Sequence, residues 1–148
     1  MKIAILGGAF NPPHLGHKLI AQEILKYLPI DEVWLTLCYQ HTFDKNLAPI
    51  IHRQNMTKML VNTNIKYCSA EIDHKLSGQT IELMPILHQE YPQHSFSFLI
   101  GSDNLAHFKK WGQWRKLITT YPFIVYPRPS FAVGLNNYIE FPTYAYYV

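Results

Sequence analysis

Short apolar runs alternate along this chain with longer stretches in which apolar residues recur every three or four positions. Lys2 to Leu6 is such a run, closed by Gly7-Gly8, and predicts a buried strand that leaves its sheet into a tight loop. From Leu15 to Tyr27 the residues Leu15, Leu19, Ile20, Ile24 and Leu25, with Leu28 just beyond, have the spacing of a helix that buries one face, and Pro29 stops it. Val33 to Cys38 predicts a second buried strand. A loop over 39–49 leads to a helix over about 50–61, with Met56, Met59 and Leu60 on one face, and Ile65 to Ala70 predicts a third strand. A polar segment over 71–78 precedes a helix from about Thr80 to Tyr91, interrupted by Pro85. Ser95 to Ile100 predicts a fourth strand, 104–110 and 113–119 short helical pieces, and Pro122 to Tyr126 a fifth strand. Strands alternating with helices call for parallel pairing, so the fold class is α/β with a Rossmann-like, doubly wound parallel sheet in a single domain.

Composition narrows the function classes. A chain of 148 residues with 48% hydrophobic residues holds one ordinary core, and 14% aromatic residues argue against disorder. The net charge of +3 comes from basic residues that are scattered along the chain, which excludes a polybasic nucleic-acid footprint and suits a small anionic ligand. Cys38 and Cys68 fall in buried-strand patterns without CxxC or zinc spacing, so a reduced, cytoplasmic location is expected. The apolar run at the N-terminus is far shorter than a secretory core, and no window approaches the ~20 residues of a membrane helix. Neither export nor membrane insertion is expected.

The segment richest in chemistry is Gly7-Gly8-Ala9-Phe10-Asn11-Pro12-Pro13-His14-Leu15-Gly16-His17, between the first strand and the first helix. In a doubly wound sheet this is where anions bind: the strand's end opens a crevice, glycines let backbone N–H groups approach an oxygen, and the helix start adds partial positive charge. His14 and His17 stand three apart, so both imidazoles can face one ligand. The GxGxxG fingerprint and the P-loop Gly-Lys-Ser/Thr are both missing, which weakens dehydrogenase and P-loop ATPase readings. A zinc site lacks an HExxH pattern and an indicated third ligand, so no metal-ligating residue is assigned. The plainer reading leaves the histidines as helix caps and the glycines as a turn.

Gly8-Ala9-Phe10-Asn11-Pro12-Pro13-His14-Leu15-Gly16-His17 resembles the GxFxPxHxGH signature of the nucleotidylyltransferase superfamily, and specifically of nicotinate or nicotinamide mononucleotide adenylyltransferases. Ile100-Gly101-Ser102-Asp103-Asn104-Leu105, with Trp111 eight positions after Asp103, resembles that family's GxD…W segment, and Val125-Tyr126-Pro127-Arg128-Pro129 its PRP stretch. His52-Arg53 and Ser77-Gly78-Gln79-Thr80 fall between them in the expected order. The resemblance covers residues 1–130, a nucleotidylyltransferase domain, and leaves 131–148 as a divergent or truncated tail.

The resemblance implies adenylyl transfer from ATP, accompanied by Mg²⁺, to nicotinate or nicotinamide mononucleotide, a step of NAD biosynthesis that releases pyrophosphate. His14 and His17 would be catalytic; Gly8, Ala9, Phe10, Gly101 and Asp103 would hold the nucleotide; Lys45, Thr80 and Trp111 would meet the pyridine mononucleotide. Each has a plainer reading: a helix N-cap for Asp103, a solvated lysine for Lys45, a helix start for Thr80, a core indole for Trp111. Trp34 and Trp114 read as core. The remaining histidines, His41, His52, His74, His88, His94 and His107, have no motif spacing.

The pattern departs from the family after Pro129. The 19 residues that follow contain no Lys or Arg and no ISSTxxR motif, the family's second grip on the ATP phosphates. Weaker ATP binding is therefore expected, with loss of turnover an open alternative, and the aromatic ending suggests self-association into a homo-oligomer. An adenylyltransferase for another phosphorylated acceptor such as pantetheine phosphate, or a non-catalytic nucleotide-binding relative, remains the alternative.

Overall fold

The computed structural model describes residues 1–41 and 46–128. The elements run in the order β1 (Lys2–Gly8), α1 (Leu15–Tyr27), β2 (Glu32–Leu37), α2 (Ile50–Lys58), β3 (Ile65–Cys68), α3 (Ala70–Asp73), α4 (Thr80–Glu90), β4 (Ser95–Gly101), a 3-10 helix (Ser102–Lys110), α5 (Trp114–Thr120) and β5 (Phe123–Tyr126). The five strands form one sheet in the order β3-β2-β1-β4-β5, and every pairing is parallel. This is the α/β, Rossmann-like sheet that the alternation of patterns predicts.

A central parallel strand is covered on both faces, so it reads as a continuous apolar run rather than an alternating one. β1 is that strand. Ile3 and Ile5 project into one core with Phe96, Phe98, Leu83, Met84 and Phe108, while Ala4 and Leu6 project into the other with Val33, Leu35, Ala21 and Ile24. Helices α1 and α2 thus cover one face, and α4, α5 and the 3-10 helix cover the other. The strand order reverses direction between β1 and β4, and the loops leaving their carboxyl ends part there. Ligands bind in such a crevice.

Several elements differ from expectation for physical reasons. In α1 the residues at zero exposure are Ala21 and Ile24, while Leu15 and Leu19 are 73% and 58% exposed, because the helix rests on the sheet through its middle turns. In α2 the expected apolar face holds only in part: Leu60, just past the helix, is buried and Met56 half-buried, but Met59 is 79% exposed, and the buried positions within the helix are Arg53 and Thr57. A hydropathy pattern ranks arginine last for burial, so it could not assign that face. The third strand stops at Cys68, and the segment expected to be polar loop contains α3, with Glu71 buried at 5% exposure. Helix α4 passes through Pro85, which stands on its exposed side and removes one backbone donor from the helix.

Candidate active site

The loop after β1 is built to hold two imidazoles in one orientation. His14 is the N-cap of α1, with extended backbone, and its Nδ1 accepts a hydrogen bond from Gly16 N–H at 3.0 Å. His17 Nδ1 in turn accepts from His14 N–H at 3.1 Å, so the two rings form a reciprocal cap. A neutral imidazole that accepts at Nδ1 carries its proton on Nε2, and both histidines therefore present an Nε2–H donor away from the helix. The ring centroids lie 4.0 Å apart at 34°, and His17 also rests on Phe10 at 4.8 Å. Burial pushes the His17 pKa down to about 4, helped by the neighbouring charges of His14 and Arg128. At neutral pH it is a neutral donor. The capping reading and the ligand-facing reading hold together, since capping uses Nδ1 and leaves Nε2.

Phe10 adopts a positive φ of 47° and buries its ring at 3% exposure, so this residue offers a ligand its backbone rather than its side chain. Asn11 fastens the next turn: its Oδ1 accepts from Ala48 N–H at 3.0 Å and its Nδ2 donates to Asn46 O at 3.1 Å.

Across the crevice, β4 ends at Gly101, where a Cβ would collide with Asp103 Oδ1 and meet the Tyr126 ring at 3.2 Å. Only glycine lets the Asp103 carboxylate fold back there. Asp103 Oδ1 is buried and has no hydrogen-bond partner among the described residues, an arrangement that calls for a donor supplied from outside, such as a hydroxyl. Beside it lies an open pocket whose lining includes Gly8, Gly101, Thr80, Trp111, Glu71 and Tyr126. Thr80, the first residue of α4, is buried at 9% exposure. Trp111 is half-buried and leans on Phe108 and Phe98 at 4.9 and 6.0 Å, so its ring both packs on the core and borders the pocket. Trp34 is buried at 8% exposure, as expected, and Trp114, half-buried beneath Lys109 and Arg115, packs against the same core.

The structure thus brings Gly8, Gly101, Thr80 and Trp111 to one pocket, with Asp103 at its rim beside Gly101. Ala9, Phe10 and His14 belong to the adjoining loop, and His17 to the first turn of α1. Lys45 and the tail over 131–148 lie outside the described residues. Three groups at the site carried no assignment from the sequence. Glu71 lines the pocket with its carboxyl pushed up to about 8 by burial and by the charge of Glu82. Arg128 comes near enough to His17 to lower its pKa, and its N–H donates to Ser102 Oγ at 2.7 Å. Arg53 is buried beneath the first loop. The signal that could have marked Arg53 was its place in the family order, since its hydropathy argued for the surface.

The family model described as cytidylyltransferase-like matches residues 5–146. The chain belongs to that family and, within it, to the nicotinate-nucleotide adenylyltransferases. It is 33% identical over 134 residues to the "probable nicotinate-nucleotide adenylyltransferase" of Salinibacter ruber, covering 88% of this chain and 69% of that protein. The protein of the same description from Cytophaga hutchinsonii is 34% identical over 135 residues, covering 88% of this chain and 70% of that protein. Among solved structures, Plasmodium falciparum nicotinic acid mononucleotide adenylyltransferase complexed with NaAD superposes with a TM-score of 0.83 at 26% identity, over 99% of this chain and 74% of that one.

Proposed function

We propose that this chain catalyses adenylyl transfer from ATP to nicotinate mononucleotide, giving the deamido dinucleotide and pyrophosphate in the synthesis of NAD. The observation that carries this reading is the pair of Nε2–H donors on His14 and His17, held by their own caps on the loop that leaves Gly8, a residue of the pocket bordered by Thr80 and Trp111. The activity of the relatives supports the same acceptor. Nicotinamide mononucleotide differs by one amide and is the companion substrate to test.

The nucleophile needs no strong base, because a phosphate monoester with a second pKa near ~6 is largely dianionic at neutral pH. An oxygen of the mononucleotide phosphate bonds to the α-phosphorus of ATP as the bond from that phosphorus to the bridging β-oxygen breaks, and the electron pair leaves with pyrophosphate. Negative charge shifts onto the departing oxygens, and donors fixed before the reaction lower the barrier there. His14 and His17 supply two such donors through Nε2–H, and the N–H groups of Ala9 and Phe10 supply others. Gly8 and Gly101 admit the nucleotide, the unpartnered Asp103 oxygen takes a ribose hydroxyl, Thr80 and Lys45 meet the mononucleotide, and Trp111 stacks on the pyridine. Residues 1–130 are the catalytic unit in this reading.

Mg²⁺ would enter with ATP as the companion of the triphosphate. It neutralises phosphate charge when bound. No described helix is long and apolar enough to cross a membrane, and Cys38 and Cys68 are buried free thiols, which supports a reduced compartment.

Incubation with ATP, Mg²⁺ and nicotinate mononucleotide, nicotinamide mononucleotide or pantetheine phosphate in turn, followed by mass spectrometry for the adenylylated product and pyrophosphate, tests the reading, with His17→Ala as control. Deamido dinucleotide from nicotinate mononucleotide, lost in the variant, is the expected result. Product only with pantetheine phosphate would change the acceptor, and ATP binding without product from any acceptor would make the chain a nucleotide-binding relative.

A further inference from the structure

Arg53 is 1% exposed and is among the largest fully enclosed side chains of the molecule. A guanidinium keeps its proton in proteins, so this charge enters the interior with it and must be met by acceptors. Its partners are three backbone carbonyls. Nε donates to Ala48 O at 2.9 Å, and one terminal nitrogen donates to Cys38 O at 2.9 Å and Ala9 O at 3.1 Å. Among the described residues no carboxylate comes within ion-pair distance of it. One cation therefore ties together the loop after β1, the end of β2 and the residues that precede α2.

That tie has a direction. In a trans peptide the carbonyl and the following N–H point to opposite sides. Drawing Ala9 C=O toward Arg53 turns Phe10 N–H away from it. Gly8 C=O accepts from Cys38 N–H at 3.0 Å, which likewise turns Ala9 N–H away from the end of β2. Neither N–H donates to any described residue. Two consecutive donors are thus aimed outward, at the loop that also carries the imidazole donors, and the guanidinium lies directly behind them.

We propose that Arg53 is a positioning residue for the triphosphate: through Ala9, Cys38 and Ala48 it holds the Ala9 and Phe10 N–H donors outward and lends the loop a positive charge from beneath. This rests on the reading that the loop receives ATP. A purely structural arginine would stabilise the fold without favouring one substrate over the other.

The test compares Arg53→Lys and Arg53→Met with the wild-type chain, measuring binding of a non-reacting ATP analogue and of nicotinate mononucleotide separately by calorimetry. Loss of a charge-assisted set of hydrogen bonds predicts analogue binding weakened roughly 10-fold or more in the Met variant. Lysine keeps the charge and recovers part of that loss. Mononucleotide affinity should move by less than about 2-fold, since its contacts lie on other elements. Equal weakening of both ligands, or unchanged analogue binding, overturns the proposal. Deuterium exchange on the wild-type chain gives a readout that does not depend on a variant folding: ATP should slow exchange at Ala9 and Phe10 and the mononucleotide alone should not, and unaltered exchange with ATP overturns the proposal. Wild-type chain that protects these amides yet forms no dinucleotide would sink the reaction and leave Arg53 in its role.

Discussion

Nε2–H of His17 is the group on which the chemistry leans most. Burial keeps the ring neutral with a pKa of about 4, and the His14 N–H occupies its Nδ1, so the one remaining polar atom is a donor of fixed direction. Removing a single preorganised donor of this kind costs about 2.7–4 kcal/mol of barrier, which predicts a fall in kcat of roughly 100-fold or more for His17→Ala. Unchanged turnover in a steady-state assay would remove the histidine from the mechanism. Trp111 calls for a different readout. Its ring borders the pocket while leaning on Phe108, so nicotinate mononucleotide should quench indole fluorescence in the wild-type chain, and Trp111→Phe should abolish that response. Quenching that persists in the variant would assign it to Trp34 or Trp114.

At the scale of elements, the N-terminus of α1 joins fold and site through Gly16. A Cβ there would stand 2.7 Å from two atoms of the His14 ring, the same ring whose Nδ1 accepts the Gly16 N–H. Gly16→Ala should therefore displace His14 and undo the cap, lowering the melting temperature through loss of about 0.5–2 kcal/mol and lowering kcat at the same time. A variant with reduced kcat and unaltered melting would separate the two effects and contradict the shared-ring account. This helix start was legible in the sequence because glycines, prolines and histidines gather at the end of an apolar strand, and the parallel sheet was legible because its buried strands read as unbroken apolar runs. Helix α2 was not. Its inward face is Arg53 and Thr57: the guanidinium is met by backbone carbonyls of Ala9, Cys38 and Ala48 and the Thr57 hydroxyl by the Arg53 carbonyl, and backbone partners of this kind leave no periodic trace in the sequence. Glu71 was hidden for the same reason: a polar stretch gives no sign that a short helix will turn one carboxyl inward.

Over the whole molecule, two groups of the same crevice make stability depend on pH in opposite senses. His17 is held neutral in the folded chain, with its pKa lowered from 6.5 to about 4, so the unfolded chain binds the proton more readily between those values and stability rises with pH across that window. Glu71 is held protonated, its pKa raised from 4.5 to about 8 by burial and by Glu82, so the folded chain binds the proton more readily there and stability falls as pH climbs from 4.5 through 8. The two oppose each other below 6.5; above it Glu71 acts without that opposition. Glu71→Gln keeps the size and the neutral charge while removing the ionisation, so its melting temperature should gain on the wild-type value steadily from pH 6.5 to 8.5. A difference that stays flat over that range would mean the carboxyl is already ionised in the folded chain. The same ionisation reaches function, because Glu71 lines the pocket offered to an anionic mononucleotide. Above pH 8 its negative charge would face the substrate's own, raising the KM for nicotinate mononucleotide in the wild-type enzyme and leaving it level in Glu71→Gln. The buried acid therefore couples the stability of the sheet's substrate-facing edge to the charge of the molecule that binds there.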